Sequence, residues 1–129
     1  MSFILDFKTI IENDASLNSL VTGDIKFGHL PIDFDIKKTW VAWDYRIINQ
    51  FDTFGCNAVY TTYSILITLT ATDTIVMNTM SEYLRTYLNN KTTDNFVDIR
   101  FISDSKITTL SKVQNTYQNT CEFNAIYLS

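Results

Sequence analysis

The stretch "TWVAWDYRIINQF" (Thr39–Phe51) decides the fold, because its side chains alternate between two kinds of surface. Successive side chains of a β-strand point to opposite faces of the sheet. The stretch therefore predicts a strand with a uniformly apolar set packed under helices and a mixed set on the other face. The apolar set is Val41, Trp43, Tyr45 and Ile47, and the mixed set is Trp40, Ala42, Asp44 and Arg46.

A second alternating segment, Ala58–Thr70, follows a polar stretch and predicts the partner strand of a long antiparallel hairpin. The residues between them, Ile48–Asn57, then form a turn or a wide hairpin tip. One face of this second strand is apolar, whereas the other still carries Tyr60 and Leu66 beside Trp40 of the first. A row of apolar side chains on the second face of a sheet indicates a partner surface.

Helical spacing of apolar residues occurs at both ends of this hairpin. A first helix is predicted over residues 2–13, and Asp14 or Ser16 caps a short second helix that ends near Val21. Gly23 then occupies a position where positive φ is expected. Thr72 or Asp73 caps a third helix that ends near Asn89. Its apolar stripe is Ile75, Val76, Met80, Tyr83, Leu84, Tyr87 and Leu88.

The remaining segments complete one domain, residues 1–129. "DIKFG" is a short strand, and Gly28–Lys38, with the only proline, is a long exposed loop. Phe96–Ile102 is a strand with Val97, Ile99 and Phe101 on one face, "SDSKITTLSK" is a polar link, and Val113–Leu128 is a long final strand. The order α(α)-β-β-β-α-β-β predicts an α+β fold, an antiparallel β-sheet with helices packed on one face.

Composition restricts the function. The net charge of −4 argues against a surface built to neutralise phosphates, although a channel that lets nucleic acid slide past remains compatible with it. No apolar run approaches the roughly 20 residues of a membrane span. The N-terminal segment carries Asp6 early and lacks the basic start of a signal peptide.

The residues of catalytic chemistry have no evident partners. His29 is the only histidine, and a solvated or structural role in its loop is favoured over acid–base or metal chemistry. Cys56 and Cys121 match no zinc spacing, so two reduced, half-buried thiols in a cytoplasmic chain are favoured over a disulfide. Neither the pairing of Cys56 with His29 nor a Gly-rich phosphate loop is indicated. We therefore predict no catalytic, cofactor-binding or metal site.

Two pairs of charged residues leave alternatives open. Asp33 and Asp35 flank Phe34 in the long loop, where solvated charge is favoured over an acid–base pair or a calcium site. Asp44 and Arg46 share a strand face, either as an exposed ion pair or as a charged contact across a subunit interface. A single-stranded nucleic acid platform would need more cations than Arg46 beside the aromatic rings.

The order and local shape of these segments resemble the tail terminator, or tail-completion, proteins of long-tailed bacteriophages, also called head–tail joining proteins. The similar segments are the helix break and strand "NDASLNSLVTGDIKFG", the aromatic strand "TWVAWDYRI", the strand end "LITLTAT", the helix "DTIVMNTMSEYLRTYLNN" and the final "CEFNAIYLS". The family has its proline directly before the aromatic strand, whereas Pro31 lies further upstream here.

The resemblance implies a structural virion protein without an active site or cofactor. It implies a ring, usually hexameric, of identical copies that caps the tail tube and joins it to the head connector or stopper, with DNA passing through the lumen without specific binding. Assembly in the host cytoplasm and a final position in the neck of the virion follow from that role. The alternatives are another neck component, such as a stopper or adaptor ring, and a small-ligand-binding or regulatory domain.

Long loops on a rigid sheet are suited to contacts with neighbouring proteins. We therefore expect Gly28–Lys38 and Ile48–Asn57 to contact neighbours, with aromatic side chains as anchors. On the strand itself, the mixed set should face a neighbouring copy or the ring lumen. The predicted interface residues are Phe34, Trp40, Asp44, Arg46 and Phe51.

Overall fold

A computed structural model describes residues 3–28, 30, 34, 35, 37–52, 59–111 and 116–128, with backbone only for 49–52, 59 and 111. Three helices lie within these residues: α1 (Phe3–Glu12), α2 (Ala15–Asn18) and α3 (Thr74–Leu88). The strands are β1 (Ile25–Phe27), β2 (Trp40–Asp52), β3 (Val59–Ala71), β4 (Phe96–Asp104), β5 (Thr108–Ser111) and β6 (Thr116–Leu128). The predicted α+β class is therefore confirmed.

All six strands of the described residues form one sheet in the order β1-β2-β3-β6-β4, and β5 also pairs with β6. The predicted hairpin is confirmed, because β2 and β3 pair antiparallel from Trp40↔Thr70 to Asp52↔Val59. β1 runs parallel to β2, with Ile25 opposite Val41. The sheet is therefore mixed, whereas the sequence pattern predicted only antiparallel pairing.

The core lies between the helices and one face of the sheet. Val41 and Trp43 are 0% and 1% exposed, and both contact the helix layer as predicted. The Trp43 ring lies 4.8 Å from that of Phe7 on α1. At the far end of α1, the Phe3 ring stacks on Tyr63 at 3.7 Å between centroids. Burying aromatic rings against each other is the main contribution that fixes α1 on the sheet.

The prediction that Ile47 belongs to this core is wrong, because its side chain is 58% exposed. Ile47 lies opposite Tyr63 at the edge of the sheet, beyond the three residues that β1 covers. α1 begins at Phe3, whose ring stacks on that of Tyr63. Alternation places Ile47 on the helix side, but β1 does not extend far enough to flank this part of β2.

The apolar stripe of α3 is rotated from the predicted one. Asp73 caps the helix, and its side chain accepts a hydrogen bond from the Ile75 amide at 2.7 Å. Ile75 is nevertheless 73% exposed and Tyr83 39% exposed, so both were wrongly assigned to the core. Met77, which the prediction left out, is fully buried. The small polar residue Ser81 is also buried, which shows that the position of a residue on the helix decides its burial more than its hydropathy does.

The predicted polar link, residues 103–112, is partly a strand. β5 pairs antiparallel with β6, with Thr108 opposite Gln118. A bulge between Phe96 and Asp98 also places Val97, 47% exposed, outside the face shared by Ile99 and Phe101. A bulge inserts one residue and shifts the alternation, which a strict period of two cannot anticipate.

Gly23 does not adopt the positive φ that the sequence suggested, and of the described glycines only Gly28 does, at 89°. A Cβ at Gly23 would instead lie 2.5 Å from two atoms of the Trp40 indole and 2.8 Å from the Thr39 carbonyl oxygen. The glycine is required by close packing of the ring, and α2 ends earlier than predicted, at Asn18.

Candidate assembly surface

The face of the sheet opposite the helices, which we call the outer face, carries the mixed side chains of β2. Strand register places Asp44 beside Leu66 of β3, and Leu66 beside Glu122 of β6. Leu66 is 40% exposed and Ile126 37% exposed. No helix of the described residues packs on this face. The outer face is therefore an open surface with apolar side chains at its centre.

Hydroxyl and carboxylate groups connect the central strands across the outer face. The Ser64 hydroxyl donates a hydrogen bond to Glu122 Oε2 at 3.1 Å. The Thr68 and Thr120 hydroxyls lie 3.2 Å apart. These cross-strand pairs fix side-chain positions and leave a surface that is flat and polar around Leu66.

One end of the outer face is a groove. A cavity of about 380 Å³ lies there between the loop before β2 and the β5–β6 hairpin. Leu30 and Phe34 line one side and Leu110 the other. Ala42 in its floor is only 8% exposed. The groove explains why Ala42 is buried although it points away from the helices.

Trp40 lies on the opposite face from Trp43, as the alternation predicts, but it is half-buried by its own chain. Its indole Nε1 donates to the Asp35 carbonyl oxygen at 2.8 Å, and its ring packs edge-on against Phe34 at 6.0 Å. Gly23 allows the ring to lie flat against the segment before β1. Trp40 and Phe34 therefore hold the loop before β2 in place.

Asp44 and Arg46 are both exposed on the outer face. Asp44 Oδ1 accepts a hydrogen bond from the Tyr45 amide at 2.7 Å. Within the part of the chain that the structure describes, no ion pair joins Asp44 to Arg46. The alternative of an intramolecular ion pair is therefore not supported, and both charges are available to a neighbour.

The other predicted site residues fall in different places. Phe51 belongs to β2 and pairs with Tyr60, because β2 continues into the predicted hairpin tip as far as Asp52. Its side chain lies outside the described atoms. His29, Asp33 and Cys56 also lie outside the described residues.

Cys121 is a buried free thiol whose Sγ lies 3.7 Å from the Ser81 hydroxyl. Burial raises its pKa, which makes the reactive thiolate rarer. No group of three or more His, Cys, Asp or Glu side chains among the described residues is placed to hold a metal ion. None of the described helices is long and apolar enough to cross a bilayer.

A partly buried hydrogen-bond centre that sequence reasoning missed joins α1 to the sheet. Asp6 Oδ2 accepts from the Tyr127 hydroxyl at 2.5 Å and from Asn95 Nδ2 at 2.9 Å. Burial first, and then the Asp6 contact, raise the pKa of Tyr127 to about 12. Tyr127 is 2% exposed and lies among the core rings, so this centre has a structural role.

Asp14 is a buried acid, 2% exposed, at the start of α2. Its Oδ1 accepts from the Leu17 amide at 3.2 Å, while Oδ2 has no hydrogen-bond partner among the described residues. Burial raises the pKa of Asp14 against the lowering effect of the cap. The predicted cap is confirmed. The charge of the Asp14 carboxylate is poorly compensated.

The comparisons with known proteins concern the fold. No protein-family profile matches the chain, and no curated protein matches it in sequence. Fourteen chains of solved structures match its fold. One of them is a chain from a structure described as the virion of a native gene transfer agent particle, with a TM-score of 0.71 and 14% identity over 95% of this chain and 91% of that one. At this identity, the likeness shows that the two chains share a fold.

Proposed function

We propose that the protein is a structural component of the virion of a tailed bacteriophage or a phage-like particle. The observation that carries the proposal is the fold shared with a chain of a gene transfer agent virion over 95% of the length. The absence of any sequence-based sign of catalytic chemistry agrees with it, since the role of such a component is geometric.

Within that class, we propose the tail terminator role: a homo-oligomeric ring, of six copies, that caps the tail tube and joins it to the head connector. The order of segments from "NDASLNSLVTGDIKFG" to "CEFNAIYLS" supports this role. The net charge of −4 suits a lumen through which DNA passes without binding. The open outer face, with Leu66 and Ile126 exposed, offers a surface for contacts between proteins.

Native mass spectrometry of the purified chain tests the ring. We expect a species six times the 14.9 kDa mass of the chain, in equilibrium with the monomer at low concentration. Only monomer and dimer at all concentrations would contradict the ring and favour the alternative of a small-ligand-binding domain. A ring of another size would favour a stopper or adaptor position in the same neck.

The position in the virion is a separate question with its own test. Particles assembled without the protein should contain heads and tails that remain unjoined in electron micrographs, and adding the purified protein should join them. Particles that join normally without it would exclude the joining role, whatever the size of the ring.

A further inference from the structure

We propose that the free half of β2, from Ile47 to Asp52, in one copy of the chain adds as an antiparallel strand to the free edge of β5 in the next copy. The inference rests on the proposed ring and names the contact that would repeat around it. It comes from comparing the edges of the sheet, where unpaired backbone groups are available for pairing with another chain.

The edge at β4 is closed in its middle, at Ile99 and Phe101, by its own chain. The Ile99 carbonyl oxygen accepts from the Asn90 amide at 2.6 Å, and the Phe101 amide donates to Asn89 Oδ1 at 3.0 Å. Asn90 adopts a left-handed conformation, φ 65°, that lets the end of α3 lie along the strand. Backbone groups satisfied in this way cannot pair with a second molecule.

The edge at β2 is closed only in its first half. The Val41 amide donates to the Asp24 carbonyl oxygen, and the Trp43 carbonyl oxygen accepts from the Gly28 amide. Alternation directs the Tyr45 amide to this same edge. There the amide donates a hydrogen bond to Asp44 Oδ1 at 2.7 Å. From Ile47 to Asp52, no described residue pairs with β2 on this side.

β5 also has an open edge. It pairs with β6 through one side only, and no strand of the described residues lies on its other side. Gln118, its partner on β6, pairs with Thr70, at the opposite end of β3 from Val59. The two open edges thus lie at opposite corners of the sheet.

Strand directions make these two edges compatible. β2, β3 and β6 alternate in direction, and β5 is antiparallel to β6, so β5 is antiparallel to β2. A second copy placed in the same orientation therefore presents its β2 antiparallel to β5. Contacts between two different surfaces generate rings when the rotation closes. The contact therefore belongs to a ring rather than to a two-fold dimer.

The sequences of the two edges complement each other in one register. It places Ile48 opposite Leu110, side chains that are 50% and 49% exposed in the single chain. It also places position 52, an aspartate in the sequence, opposite position 106, an exposed lysine next to β5. Cross-strand apolar pairs and opposite charges stabilise an antiparallel pair. The free half of β2 contains neither proline nor lysine, the residues that usually protect an edge.

Cysteine cross-linking tests the register directly. Residues directly opposite in antiparallel strands have Cα atoms about 4.5–5.5 Å apart, within the range of a disulfide. In a Cys56→Ser chain carrying Ile48→Cys and Leu110→Cys, oxidation with diamide should give a covalent ladder that ends at the closed ring. Either cysteine alone should stay monomeric on a non-reducing gel. A ladder that fails to form, or dimers from Ile48→Cys alone, would overturn the proposal.

Charge reversal supplies an independent test in the intact ring. Asp52→Lys and Lys106→Asp should each raise the concentration of half-assembly roughly fivefold to tenfold, and the double variant should restore it. Glu12→Lys, the same change of charge on the exposed side of α1, is the matched control and should have no effect. If both single variants form rings at the same concentration of half-assembly as the wild type, this contact alone is refuted. A wild-type chain that never leaves the monomer would refute the proposed ring itself.

Discussion

The two tryptophans of β2 should respond differently to the same truncation. Trp43 is the largest fully buried side chain of the described residues, and its ring lies 4.8 Å from Phe7 and 4.7 Å from Phe27. Truncating a buried tryptophan to alanine costs roughly 3–5 kcal/mol through lost transfer free energy and the cavity left behind. Since domains have only about 5–15 kcal/mol of stability, Trp43→Ala should unfold a substantial share of the molecules. The melting temperature should fall by roughly 10–20 °C.

Trp40→Ala is the matched comparison. It loses an edge-on contact with Phe34 and the hydrogen bond to the Asp35 carbonyl oxygen, which together are worth roughly 1–2 kcal/mol. The variant should remain folded, with the loop before β2 loosened and ring formation weakened in sedimentation.

Urea unfolding followed by far-ultraviolet circular dichroism is the suitable assay, because each variant removes one of the two tryptophans that fluorescence would report. Equal losses of stability in the two variants would refute the assignment of the faces. If Trp40→Ala assembles normally, the outer face at Trp40 takes no part in the proposed ring.

Three further predictions concern the buried polar groups. Tyr127→Phe removes the hydroxyl that donates to Asp6 and should cost roughly 1.5–3 kcal/mol in urea unfolding. Because the pKa of Tyr127 is raised from 10 to about 12, its contribution is complete below pH 10 and is lost as the pH rises through 12. The wild type should therefore lose more stability in that window than Tyr127→Phe, in which Tyr63 still titrates with a raised pKa; parallel curves would contradict the contact. Asp14→Asn keeps the cap and removes a charge whose pKa burial raises, so it should equal or exceed the wild type in stability at pH 7, whereas Asp14→Ala should cost about 1 kcal/mol; a clear loss in Asp14→Asn would show that the charge is compensated. In a Cys56→Ser chain, Cys121 should react with a thiol reagent only on unfolding, as labelling with and without urea will show, and rapid labelling of the native chain would contradict its burial.

The sequence predicted those parts of the fold that depend on periodicity. Alternation identified the β2–β3 hairpin and separated Trp43 from Trp40, and helical spacing with Asp73 as cap identified α3. Ile47 and Ile75 were misplaced because hydropathy does not show where the covering layer ends. The parallel pairing of β1 could not be predicted, since three residues carry no information about direction.

The site was less predictable for a related reason. Phe34 and Trp40 were chosen as aromatic side chains free for a partner, but they contact each other. Such a contact between a loop and a strand leaves no periodic signal. The hydrogen bonds that Asn89 and Asn90 make to the edge of β4 also leave no signal in the sequence, because asparagine after a helix has many possible roles.

The position of β6 in the sheet has a consequence for how the protein is made. β6 is synthesised after the other five strands, yet it lies between β3 and β4, and its Tyr127 binds Asp6 near the start of α1. Contacts between such distant residues form late, because the chain between them must first lose conformational entropy, and only then do the contacts offset that loss. While the chain is still on the ribosome, β3 and β4 remain unpaired on their inner edges. A nascent chain therefore cannot complete its sheet, and a fragment that lacks β6 leaves the inner edges of β3 and β4 open to pairing with other chains.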